Sequence, residues 1–191
     1  ITLNHGRDLI AGNLIRVTGT IDSASNQFFT LLLNAPTINL LGSVGTSNAT
    51  ALGSLSVPNS GALTLGDTAA SGTYFIRTQN AFSSVHTITL QQDTQFVSLN
   101  GGAIDLVAVD SDSVSPRSLT ISTSGATTLS GAIGSSQALR TFSTDTGGTT
   151  SLAGNVTTTQ SQTFGDNVVL VSDLIFNAGN TATFNGTVES S

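Results

Sequence analysis

The densest group of residues able to do chemistry is Asp105, Asp110 and Asp112, followed by Arg117. Clustered Asp with a nearby cation suits weak Ca²⁺ binding or acid/base work on a polysaccharide. Asp110 and Asp112 stand two apart, so on a strand they share a face. Their neighbours Ser111, Ser113, Ser115 and Pro116 are turn formers, which favours a solvated turn over a catalytic pair. The two histidines, His5 and His86, have no Ser-His-Asp or His-x-x-x-His setting. His5 lies beside Gly6, Arg7 and Asp8, whereas His86 falls in a strand-like stretch. Gly-rich segments lack the following Lys and helix of a phosphate cradle. The sequence therefore names no catalytic, cofactor-binding or metal residue beyond the weak Asp105/Asp110/Asp112 candidate.

The elements that must carry these residues are β-strands. Thr, Ser, Val, Ile, Asn and Gly dominate, and good helix formers are nearly missing: there is no Lys or Met and a single Glu, Glu189. Only 8% of the 191 residues are charged, against about 25% in an ordinary domain. The net charge of −6 opposes nucleic-acid binding, which needs a cationic footprint. No apolar run approaches the roughly 20 residues of a membrane helix. A mean hydropathy of +0.21 is too high for a disordered chain. The absence of Cys removes disulfides and Cys-based zinc sites, and fits an exposed extracellular protein. The chain opens on Ile1 and stops mid-pattern at Ser190-Ser191, which we read as part of something longer.

A short pattern recurs: apolar, any, Gly, any, β-branched. Its glycines are Gly19, Gly42, Gly131, Gly154 and Gly186, and two of the gaps are 23 residues, the length of one turn of a broad β-solenoid. These structural glycines are expected at comparable corners or tight strand positions where a side chain would clash. A longer offset of about 87 residues relates Leu55 to Phe142, Leu65 to Leu152 and Ile1-Thr2-Leu3 to Ile88-Thr89-Leu90. It suggests repeats at 1–87 and 88–172 and the start of a third at 173–191. Leu65 and Leu152 should then fill one inward site four coils apart. Strand-like stretches include Leu14 to Val17, Phe28 to Leu33, Ile104 to Val109 and Leu119 to Ser122, with turn clusters such as Pro58-Asn59-Ser60-Gly61 between them. Thr-x-Thr pairs such as Thr157/Thr159 and Thr181/Thr183 do not recur at one coil period, which argues against an ice-binding array.

Stacked coils account for the composition. Small or branched apolar residues fill the inside, and neutral Thr and Ser stack outside without like-charge repulsion. The fold class expected is all-β, a single parallel β-solenoid of about eight coils.

The segment from Gly147-Gly148-Thr149-Thr150-Ser151-Leu152-Ala153-Gly154-Asn155-Val156 through to Leu170, and the phrase Ala51-Leu52-Gly53-Ser54-Leu55-Ser56-Val57, resemble the repeats of giant bacterial surface proteins of the filamentous-haemagglutinin-like and autotransporter-like type. That resemblance implies a right-handed parallel β-helix at the bacterial cell surface or outside it, acting as a stalk, filament or adhesin segment without catalytic residues. Its expected partners are further copies of the same repeat, end-to-end self-association, or a carbohydrate or cell surface, with no nucleic acid and no membrane span. The alternatives are a β-helix carbohydrate-active enzyme and a carbohydrate-binding solenoid face.

Overall fold

In a computed structural model describing residues 1–59 and 61–191, the chain is a parallel β-solenoid of about eight turns. Ser60, within the expected Pro58–Gly61 turn, lies outside the described residues. The one helical element among the described residues is a 3₁₀ turn, Asn48–Thr50, capped reciprocally by Ser47 and Thr50. Among the described residues, no helix is long and apolar enough to cross a membrane.

Three faces wrap the core. The first is an unbroken nine-stranded parallel sheet running from Arg7–Ile10 to Val188–Ser190. The second holds Leu14–Val17, Thr37–Leu40, Ala62–Leu65, Thr87–Leu90 and Val109–Ser111. It continues through Ile133 to Val156–Thr158 and Phe176–Ala178. The third runs from Thr73–Thr78 to Ala182–Phe184 in six strands. Bridges Ile21–Val44–Ile76 extend it towards the start of the chain.

Alternation sets which side chains enter. In Thr73–Thr78 the burial runs exposed, buried, intermediate, buried, intermediate, buried, and most internal strands repeat this. The inward columns are Leu, Ile, Val and Phe, fully enclosed at Leu33, Ile38, Leu90, Ile104 and Phe164. Outward columns are ladders of hydroxyls: Ser143 Oγ donates to Thr120 Oγ1 at 3.1 Å, and Thr141 Oγ1 to Ser118 Oγ at 2.8 Å.

The inward column of the first face advances by 24, 24, 27, 22, 23, 23, 18 and 20 residues per turn, from Arg7 to Val188. Turn length is therefore not constant, and this corrects the longer repeat. Four turns take 97 residues from Arg7 to Ile104 but 84 from Ile104 to Val188. An offset of 87 slides across corners. Leu65 accordingly lies on the second face and Leu152 on the first, not in one column. Leu55 and Phe142 are likewise on the first and third faces. Thr73-Tyr74 and Thr163-Phe164 do share the third face four turns apart, but two residues out of register, since Thr163 continues the column of Phe75.

The short glycine pattern marks corners, though three different ones. Gly19 and Gly42 stack at the second-to-third corner, Gly131 and Gly154 at the first-to-second, and Gly186 turns from third to first. A Cβ on Gly154 would lie 2.6 Å from Gly131 C and Ala132 N, and one on Gly42 2.5 Å from Gly19 C. Gly19, in the first turn, has nothing within 4 Å of its Cβ position. Gly154→Ala should therefore cost about 1–3 kcal/mol by overpacking backbone against backbone. Gly19→Ala should be neutral or slightly stabilising, through loss of unfolded-state freedom. Urea denaturation of the two variants checks this; equal costs would mean that the stacked corner yields freely.

Candidate functional site

Asp93, Asp110, Asp112, Arg117 and Arg140 gather at the second-to-third corner across three successive coils. On the second and third of these coils the corner loop is long, residues 112–118 and 134–141, whereas on the first only residues 91–92 pass from the second face to the third. Each charge braces a neighbouring segment. Asp110 Oδ1 accepts from the backbone N–H of Ser136 at 2.9 Å and of Gln137 at 3.2 Å, which ties down the loop of the next coil. Asp112 Oδ1 accepts from Val114 N at 3.1 Å and Ser115 N at 2.9 Å, closing its own turn. Its Oδ2 takes Arg117 Nη2 at 3.0 Å. Asp93 accepts from Ser118 N at 3.0 Å and pairs with Arg140, whose Nε donates to Ser118 Oγ at 3.1 Å.

This overturns the expectation of a solvated turn. Asp110 and Asp112 are each only 8% exposed. Residue type alone reads as a turn, but the loop of the next coil folds over it. The weak Ca²⁺ candidate does not assemble either: Asp105 faces outward on the first face between Ser83 and Thr128, away from the other two. Among the described residues, no three His, Cys, Asp or Glu are placed to hold a metal ion.

The electrostatics point to bracing. Burial pushes the Asp112 carboxyl up, but the donors Ser115 N, Arg117 and Val114 N outweigh it and hold the group below the ordinary Asp value. A general acid needs the opposite shift. Asp22 is similar: burial opposes ionisation, and Thr46, through its N–H at 2.7 Å and its hydroxyl at 2.8 Å, restores it. His86 is fully buried at the first-to-second corner. Because a carbonyl only accepts, its Nε2–H donates to Ala35 O at 3.0 Å, and Nδ1 has no partner. His5 stands in the first turn beside an open hollow of about 200 Å³, lined also by Ile1, Leu3 and Arg7.

One feature escaped the sequence reading. Hydroxyl pairs do recur once per coil on the third face, as Ser118/Thr120, Thr141/Ser143, Ser161/Thr163 and Thr181/Thr183. Register reveals them, because the spacing changes with turn length, 23 residues and then 20. Several of these hydroxyls bond one another along the axis. The end coils are where the expected end-to-end association would act. Six of the eight exposed large apolar side chains lie on them: Ile1, Ile10 and Leu14 at one end, Val171, Ile175 and Val188 at the other. Strand edges at both ends are unpaired, and Phe176 and Phe184 meet edge-to-face at 5.0 Å on the last turn. A hollow of about 400 Å³ at that end is lined by Leu170–Leu174 and Ser190-Ser191 and holds one carboxylate, Asp173.

No protein-family profile, no curated protein and no solved structure matches this chain.

Proposed function

We propose that the chain is a structural segment of an extracellular bacterial filament, stalk or adhesin of the filamentous-haemagglutinin-like type, extending reach by stacked β-coils. The observation that carries this reading is the distribution of apolar surface: nearly neutral hydroxyl-rich flanks, with exposed large apolar side chains concentrated on the two end coils. Flanks of that kind resist lateral pairing, while open strand edges template further coils. The partners that fit the ends are further coils of the same type, whether in one polypeptide or in a second copy. A carbohydrate or cell surface is the kind of target for the flanks. A carbohydrate-active enzyme would bring carboxylates together over a groove; the carboxylates here are dispersed or engaged by backbone N–H groups and arginines, which supports the scaffold.

Tandem fusions of one, two and four copies test the proposal. Particle length should grow by roughly 38 Å per copy, eight layers at about 4.8 Å. The melting temperature should climb towards a plateau as stacking interfaces are added. Compact particles whose stability is complete at one copy would overturn the filament reading. Release of reducing or unsaturated sugars from acidic polysaccharides would move it to the enzyme.

A further inference from the structure

After Arg140 the sequence holds four carboxylates, Asp145, Asp166, Asp173 and Glu189, and no cation. Three of these have water to solvate them to some degree; Asp166 is only 4% exposed, at the third-to-first corner. It spans two coils. Oδ1 accepts from Thr144 Oγ1 and Oδ2 from Thr150 Oγ1, both at 2.7 Å. Thr144 Oγ1 in turn accepts from Gly165 N at 3.1 Å, so its hydroxyl is committed. Thr150, wholly buried, can turn its hydroxyl to accept instead. A proton on Oδ2 therefore has a ready acceptor.

Among the described residues no cation pairs with Asp166. The coil beneath contributes Asp145, of like sign, held by Ser122 Oγ at 2.9 Å. The first-face strand Thr149–Leu152 has no titratable group, and neither has the turn stacked above, Asn185–Thr187. A buried carboxylate with only neutral donors, here two hydroxyls and its own backbone N–H, is costly to keep ionised. We propose that Asp166 is a proton-operated latch on the C-terminal coils: proton uptake at this carboxyl tightens the last turns, and proton release loosens them. The strands above it, Ala182–Phe184 and Val188–Ser190, are the open edge, so the latch sets how firmly that edge is presented.

The direction follows from linkage. Burial, outweighing the two hydroxyls and the carboxyl's own backbone N–H, raises the group above its ordinary value of 3.8, with Asp145 adding to the rise. The folded state then binds the proton more tightly than the unfolded one. The stabilisation is complete below the unfolded value and is lost as pH rises through the raised one. This inference does not depend on the proposed function; it would hold for any role of the solenoid.

Hydrogen exchange of the intact chain, corrected for intrinsic rates, tests it. The reporters are the amides of Val168, bonded to Thr187 O, and Asn185, bonded to Phe164 O. Their protection should rise on acidification from neutral pH, by up to about tenfold per pH unit, the ceiling set by one proton. The Leu41 amide, bonded to Val17 O in the first turns, should not follow. In Asp166→Asn the dependence should vanish, with protection at neutral pH equal to the acid level of the parent. Should that variant fail to fold, Asp145→Asn, which removes only the like charge, should shift the transition to lower pH. Protection that ignores pH in the parent chain, a dependence surviving in Asp166→Asn, or an unmoved transition in Asp145→Asn would each overturn the latch.

Discussion

Phe164→Ala should lower the unfolding free energy by about 3–5 kcal/mol. The ring is completely enclosed and joins three coils: Phe142 lies 5.3 Å away on one side, and Phe184 stacks at 4.7 Å with its plane 3° from parallel on the other. Phe176 adds an edge contact at 5.3 Å. Truncation leaves a void that the backbone cannot close, because the strands on either side are pinned by parallel ladders. The loss should fall mainly on the last two turns, where Phe164, Phe176 and Phe184 cluster. Urea unfolding gives the magnitude, and hydrogen exchange its location. A cost below about 1 kcal/mol would mean that the aromatic column carries little of the core.

Asp112→Ala should cost about 3 kcal/mol, at the low end for breaking a buried pair because Arg117 keeps some contact with water. Arg117 Nε is already buried without a partner, so removing the carboxylate leaves a poorly compensated cation. Two backbone donors, Val114 N and Ser115 N, lose their acceptor as well. Asp112→Asn separates the parts: its side-chain oxygen can still close the turn, but the ion pair is gone. The pH behaviour is opposite in sign to that of Asp166. Since the Asp112 carboxyl is held below its ordinary value, its contribution is present above the unfolded value and lost as pH falls through the depressed one. Denaturation of the parent and Asp112→Ala across acid pH should show their difference shrinking towards the acid end. A constant difference would mean that packing, not charge, holds the corner.

The legible parts of the fold were those written locally. Leu14–Val17 and Leu119–Ser122 alternate cleanly and are strands at those bounds. The 23-residue glycine steps mark neighbours in adjacent coils, because each pair meets backbone to backbone. Where the expectation failed, the missing information was long-range. Ile104 to Val109 reads as one apolar strand, yet it breaks at a corner into Ile104–Leu106 and Val109–Ser111, with no Pro or Gly to announce the bend. Phe28 was expected to open a strand; it instead takes φ 52° just after the turn at residues 25–27, and the strand starts at Leu31. Asp110 and Asp112 carry the residue types of a wet loop, and only the loop from the next coil shows them to be enclosed.

The uneven turns along the first face have a kinetic consequence. Each strand finds its partner 18 to 27 residues away, and that separation does not grow as coils are added. Relative contact order is therefore about 0.12 for this length, low for an all-β chain. The closure entropy of the longest turn exceeds that of the shortest by only about 0.4 kcal/mol. Lengthening a corner loop therefore barely slows its closure, which leaves corners free to vary. Folding can then advance as a front, one turn at a time, with every completed coil serving as the template for the next.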